Sequence, residues 1–215
     1  MPAPTPYNPP SSETLRTLYL DDDLIVADKP SGLLSVPGRG PEKAVCANSI
    51  LSERHGPVLT VHRLDMDTSG VIVFARNKEA QRHLSKQFEQ RRVSKKYEAL
   101  VEGLIDQELG TIDAAIAKHS LDRPLRHLDP EGRSAITHWQ VLHRDERTTR
   151  LLLTPETGRS HQIRLHLASI GHSILGDVFY GDVNSHERLC LHAKTLRIAH
   201  PVSEKFVGFE ADTPF

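Results

Sequence analysis

The chain has little of several things that would commit it to other tasks. It holds two cysteines, Cys46 and Cys190, far apart and in no Cys-x-x-Cys or zinc-finger spacing. That fits a reduced, cytoplasmic protein better than a secreted, disulfide-stapled one. No run approaches the roughly 18 apolar residues of a membrane span. The opening segment, residues 1–10, is rich in proline and has neither a positive nor an apolar region of signal-peptide type. Net charge is nearly absent at −1, from 27 basic and 28 acidic residues, which argues against coating nucleic acid through overall charge. Neither a Gly-x-Gly-x-x-Gly nor a P-loop occurs.

Metal and protease patterns fail as well. Asp65-x-Asp67-x-Ser69-Gly70 begins like a calcium loop, but its twelfth position is Arg76 rather than a bidentate Glu. His161 and His166 are not at the i, i+4 spacing that puts two histidines on one helix face for zinc. Asp67-Thr68-Ser69-Gly70 lacks the directly following glycine and the second copy that an aspartic protease requires. No metal and no cofactor are expected.

What is present suits one domain, or two small lobes sharing a core, in 215 residues of which 38% are apolar and 26% charged. Residues 1–14 are expected to be a flexible proline-rich tail, with 15–215 folding as the single domain. Charge is segregated. Residues 1–23 carry −3, whereas residues 76–96 carry +6.

Alternating and continuous apolar runs give a hairpin over 17–27, a buried strand at 71–75, strands at 96–102, 111–117, 135–143 and 149–153, and closing strands at 189–199 and 206–211. Helices are expected at 43–54, at 78–91, and at 160–168 packing through Ile163, Leu167 and Ile170. Strands dominate without regular βαβ alternation, so the fold class is α+β. In the helix over 78–91, Ala80, Leu84 and Phe88 oppose Lys78, Arg82 and Lys86. One face packs and the other is a basic stripe, continued by Arg91, Arg92, Lys95 and Lys96. Such a stripe is either a solvated face or an anion-binding surface; the adjoining cations favour the second. The segment 122–127, with Arg123 and Arg126, reads as a loop able to touch a partner.

The densest chemistry lies in His62-Arg63-Leu64-Asp65-Met66-Asp67-Thr68-Ser69-Gly70, where a carboxylate stands directly before an apolar strand. A charged turn at a strand edge is the plain reading. A distant segment, Thr157-Gly158-Arg159-Ser160-His161-Gln162-Ile163-Arg164-Leu165-His166, changes it. Together with Lys29-Pro30-Ser31-Gly32-Leu33-Leu34, Lys95-Lys96-Tyr97, Gly171-His172, Ile174-Leu175-Gly176-Asp177 and Leu191-His192-Ala193, these segments resemble the RluA family of pseudouridine synthases, in the family's order and over nearly the whole chain.

The resemblance implies a mixed, mostly antiparallel central sheet with flanking helices and a central catalytic cleft. It implies conversion of selected uridines in structured RNA to pseudouridine. Asp65 matches the catalytic aspartate, Arg164 the arginine that pairs with it, Tyr97 the aromatic that stacks on the target base, and Arg63 the arginine that fills the gap left by the extruded nucleotide. His62 either positions the Asp65 loop or simply packs. The cations Lys78, Arg82, Lys86, Arg91, Arg92, Lys95, Lys96, Arg123, Arg126 and Arg159, with His161, are expected to line the RNA.

The closest likeness is to the short subgroup associated with a 23S rRNA stem-loop and the tRNA anticodon stem-loop. The start leaves too few residues for an extra RNA-binding module, so recognition falls to the catalytic domain of a monomer needing no protein partner. Asp67 departs from the subgroup's pattern, as does the loop from Lys118 to Arg133. Two other readings stay open: a synthase for a different rRNA site, and an RNA-binding or folding factor with the same fold. Attack on the base and attack on the sugar are not distinguished.

Overall fold

The computed structural model describes residues 7–118 and 125–215. They form an α+β fold of two compact units. One takes residues up to Val93 with Leu196–Ala211; the other takes Ser94–Thr195 with Asp212–Phe215.

In the first unit, β1 (Arg16–Leu20) and β2 (Leu24–Lys29) make the expected hairpin. Its turn is closed by Asp21, whose carboxylate accepts the N–H groups of Asp23 and Leu24. β2 runs antiparallel to β4 (Ser69–Ala75), with Lys29 opposite Gly70 and Leu24 opposite Ala75. All seven residues of β4 are buried, which is why its sequence reads as a continuous apolar run instead of an alternating one. β3 (Leu59–Thr60) pairs with the far end of β4. The core joins Leu24, Val26, Val71, Val73 and Leu84 to Leu196 and Ile198.

α2 (Lys78–Glu89) starts where Asn77 accepts the N–H of Ala80, satisfying one of the helix's orphan donors. Ala80 and Leu84 are buried and Phe88 is half-buried, while Lys78, Arg82 and Lys86 are exposed. The two-faced helix stands as expected and ends slightly early, at a turn in which Arg91 takes a φ of 57°. α1 (Ala47–His55) starts later than expected. Cys46 and Ser49 cap it reciprocally, and the preceding Pro41–Lys43 is a separate 3-10 turn.

Residues 7–14 of the expected tail are bonded to this unit. The Tyr7 hydroxyl donates to the Val45 carbonyl and accepts from the Leu34 N–H, and Ser12–Thr14 form a 3-10 turn. Residues 1–6 lie outside the described residues.

In the second unit, β5 (Ser94–Glu102), β10 (Thr148–Pro155), β9 (Ile136–Arg144) and β6 (Leu109–Asp113) lie side by side in that order, each antiparallel to the next. The single strand expected over 111–117 is two: β6 ends at Asp113, and β7 (Ile116–Lys118) pairs instead with β8 (Arg126–Leu128). Arg126 therefore sits on a short strand and not in a loop, a correction to the reading of 122–127. Arg123 lies outside the described residues.

α3 (Gln162–Ser169) buries Ile163 and Leu167. Ile170 does not pack with them. It follows the last helical residue and is 40% exposed. The core gathers Ala99, Val101, Trp139, Leu151, Leu153 and Leu167. β11 (Leu191–Ala199) gives Leu191 to this core and Leu196 and Ile198 to the first, and β12 (Phe206–Glu210) pairs with it. Both cysteines are free and buried; burial pushes the Cys190 thiol up to about 11. Among the described residues, no helix is long and apolar enough to cross a membrane.

Candidate active site

Asp65 stands half-buried in the loop between β3 and β4. The backbone on both sides of it is gripped by side chains from the end of β2 and the segment that follows. The Lys29 ammonium, itself 0% exposed, donates to the carbonyls of Pro30, Leu33 and Met66 at 3.0, 2.7 and 2.9 Å. The Ser31 hydroxyl donates to the Asp67 carbonyl at 2.7 Å. The Ser35 hydroxyl donates to the Leu64 carbonyl and accepts the Leu64 N–H. The Asp65 carbonyl accepts from Thr68 in a tight turn, and Gly70 leaves that turn at a φ of 109°, a value that a side chain would strain.

The loop carrying the carboxylate is thus held at Leu64, Met66 and Asp67. Fixing of this kind leaves the carboxylate's backbone little freedom, the condition under which a side chain can be positioned for chemistry. Arg63, next to Asp65, is exposed. His62 turns to the packing side: its Nε2 accepts the Val73 N–H at 3.1 Å, and its ring stacks on Phe88 with centroids 4.4 Å apart. Arg91 and Arg92 extend the exposed stripe of α2.

In the second unit, Arg164 is among the largest fully buried side chains. Asp177 grips it with both oxygens, Nε to Oδ2 at 2.8 Å and Nη2 to Oδ1 at 2.6 Å. The guanidinium also lies over the rings of Phe179 and Tyr180, 4.9 and 5.8 Å from their centroids, a cation–π cage. Burial works against the charge of Asp177. The hydrogen bonds and charge of Arg164, with the N–H groups of Phe179 and Tyr180, outweigh it and hold the carboxyl below the usual range.

His161 is a member of this cage and not a surface group. It is 9% exposed, stacks on Phe179 and shares a hydrogen bond with the Tyr180 hydroxyl at 3.0 Å. That hydroxyl also accepts the Arg126 N–H. Arg159 binds the Ser134 carbonyl through Nε.

Tyr97 is half-buried on β5, opposite Leu153, and packs against the unit's core. Lys95 shares its side of the strand and reaches the Thr157 carbonyl at 3.5 Å; Lys96 is exposed on the other side.

Sequence reasoning missed the clamp made by Lys29, Ser31 and Ser35, and the cage made by Asp177, Phe179 and Tyr180. A signal existed for Lys29: it continues the apolar run Leu24–Ala27 in strand register, so its burial needed acceptors.

A family model described as RNA pseudouridylate synthase matches residues 23–169, a span that includes Asp65, Tyr97 and Arg164. The dual-specificity RNA pseudouridine synthase RluA of Haemophilus influenzae is 44% identical over 97% of this chain and 98% of its own length. The protein of the same description from Escherichia coli K12 is 41% identical with the same coverage. Among solved structures, human RNA pseudouridylate synthase domain containing 1 superposes with a TM-score of 0.81 at 30% identity, covering 97% of this chain and 87% of that one. Human RNA pseudouridylate synthase domain containing 4 gives 0.76 at 26% identity, covering 94% and 91%. With the family model spanning well over half of the sequence and relatives matching it nearly end to end, the chain belongs to the RNA pseudouridylate synthase family.

Proposed function

We propose that this pseudouridine synthase isomerises uridines in a 23S rRNA stem-loop and in the tRNA anticodon arm, with Asp65 as its nucleophile. The observation that carries the assignment of Asp65 is the three-point clamp on Leu64, Met66 and Asp67, which holds the carboxylate's backbone from both sides. The dual specificity rests on the relatives' descriptions, which apply to proteins matched across 97% of this chain.

The reaction breaks the bond between ribose and the uracil nitrogen, turns the base and rejoins it through carbon. Atoms are conserved and nothing is oxidised, so neither a cofactor nor an energy source enters. A fixed carboxylate serves by attacking base or sugar. Arg164, permanently charged and immobilised by Asp177, supplies a rigid cationic donor for that carboxylate. Tyr97 offers a ring to stack on the flipped uracil, which offsets the few kcal/mol that extrusion costs, and Arg63 fills the vacated stack. Lys78, Arg82, Lys86, Arg91, Arg92, Lys95 and Lys96 track RNA phosphates. The protein acts as a monomer in the cytoplasm, a setting that suits its two free thiols.

The test is incubation of tRNA and 23S transcripts with wild type and Asp65→Ala, followed by chemical mapping of pseudouridine. Wild type is expected to modify both RNAs and the variant neither. Product made equally by Asp65→Ala would overturn the mechanism; product in one RNA only would reduce the reading to a single-site synthase.

A further inference from the structure

A cavity of ≈ 430 Å³ opens in the second unit at the base of the β7–β8 hairpin. Cations dominate its wall: Lys118 from β7, Arg126 from β8, Arg133, and Arg159 from the segment entering α3. One carboxylate, Glu131, stands among them.

The backbone that carries this wall is held in place, while Lys118, Glu131 and Arg133 present exposed side chains. Arg133 is laced to β7 by two backbone bonds with Ile116, at 2.9 and 3.0 Å. Glu131 is turned by an N–H bond to the Asp129 carboxylate. Between them, a Cβ on Gly132 would run into the Ile116 carbonyl, so the segment lies against the strand as closely as a backbone can. The backbone N–H of Arg126 donates to the Tyr180 hydroxyl, and the Arg159 guanidinium is held through Nε on the Ser134 carbonyl.

A surface that only tracked phosphates would need neither depth nor a carboxylate. The volume lies in the range of pockets that enclose a small molecule, roughly 300–1,000 Å³. The apolar lining by Ile116 and Ala117 gives a base something to lie on. Four cations call for a phosphate. Glu131, repelled by that phosphate, calls for N–H donors at the other end of the same ligand, and an amino-bearing nucleobase edge provides them.

We propose that this cavity is a specificity subsite for one unpaired nucleotide of the RNA, other than the target uridine, with Glu131 reading an amino-bearing base and Lys118 and Arg133 holding its phosphate. The proposal rests on the pseudouridine synthase reading and adds to it a residue set for choosing the RNA.

The test uses the whole protein and a series of stem-loop substrates in which each loop nucleotide is replaced in turn by an abasic one. One position outside the target is expected to lose about tenfold or more in kcat/KM, equivalent to roughly 1.4 kcal/mol. Lys118→Ala/Arg133→Ala is expected to lose a similar factor on the intact loop and nothing further on that abasic loop, the non-additivity of a shared contact. Glu131→Gln is expected to level the preference among bases at that position. Independently of turnover, wild type should bind at least one of guanosine, adenosine and cytidine monophosphate more tightly than uridine monophosphate or inorganic phosphate, and Glu131→Gln should lose the difference. Losses spread evenly over the loop, additive losses, or phosphate binding as tightly as every amino-bearing nucleotide would each overturn the subsite. If wild type makes no pseudouridine in any stem-loop, the parent reading fails instead, and the nucleotide-binding arm still decides whether the cavity takes a base.

Discussion

Arg164 and Asp177 form a bidentate ion pair whose side chains are 2% and 0% exposed. Two charges so deeply withdrawn from water are tolerable because every strong donor direction on the shared face is met, and because aromatic rings cover the cation. The consequence is mechanical: the guanidinium cannot swing.

Asp177→Asn tests this. The amide keeps the shape but removes the charge and turns a donor towards the guanidinium. Breaking one side of a buried pair typically costs about 3–5 kcal/mol, and urea denaturation should show a loss of that order. If Asp177 positions Arg164 for the reaction, kcat should also fall on the order of 10²-fold while KM moves little. A variant that loses stability but keeps kcat would confine Asp177 to holding the fold.

Lys29→Met removes the ammonium from three carbonyls, one of which belongs to Met66 beside Asp65. Hydrogen bonds to a charged donor are each worth about 1.5–3 kcal/mol, but the apolar replacement avoids burying a charge. A net destabilisation on the order of 2–3 kcal/mol is expected. If Asp65 is the nucleophile, the loss falls on its loop, and single-turnover rates should drop by about tenfold or more while RNA affinity is kept. An unchanged single-turnover rate would show that Ser31 and Ser35 suffice as a clamp.

Local periodicity makes much of this arrangement legible in the sequence. The continuous run Val71–Ala75 marks a buried strand, and the offset of Ala80 and Leu84 from Lys78, Arg82 and Lys86 marks the two faces of α2. The Asp65 motif is legible as a type of residue in a type of place. Its fixation is not, because Lys29 and Ser35 reach Met66 and Leu64 across 37 and 29 positions, and no periodicity encodes such a meeting. The same holds for Asp177, whose pairing with Arg164 depends on a turn that brings both oxygens into the plane of the guanidinium. The break between β6 and β7 escapes sequence reasoning because Ala114 and Ala115, though weak strand formers, carry none of the turn chemistry that marks a break. Ile170 is misplaced by it because the helix stops one residue before its side chain would face the core.

Acid stability should report on Asp21. Partial burial favours its neutral form, but the Leu24 and Asp23 N–H groups, His200 and Tyr19 bind the carboxylate and bring its pKa from 3.8 down to about 2. The folded state therefore releases this proton more readily than the unfolded chain. The stabilisation is complete above the unfolded value near 4 and is lost as pH falls through about 2. The difference in unfolding free energy between wild type and Asp21→Asn should shrink between about pH 4 and 2. A difference that stays constant to pH 2 would remove Asp21 from the acid transition.

The basic stripe offers the most direct test of how RNA is held. Lys78, Arg82 and Lys86 are exposed on α2, so their triple replacement by alanine leaves the packed face alone. Alanine is also the best helix former, so unfolding should not confuse the result, and the melting temperature should hold or rise. If each cation meets a phosphate, the slope of log K against log salt should fall by about one for each phosphate no longer neutralised, close to three in all. KM should rise at physiological salt while kcat at saturation holds, the pattern of binding that is uniform between ground and transition states. A slope equal to that of wild type would make the stripe a solvated face, whatever its charge, and would leave the RNA backbone to Arg91, Arg92, Lys95 and Lys96.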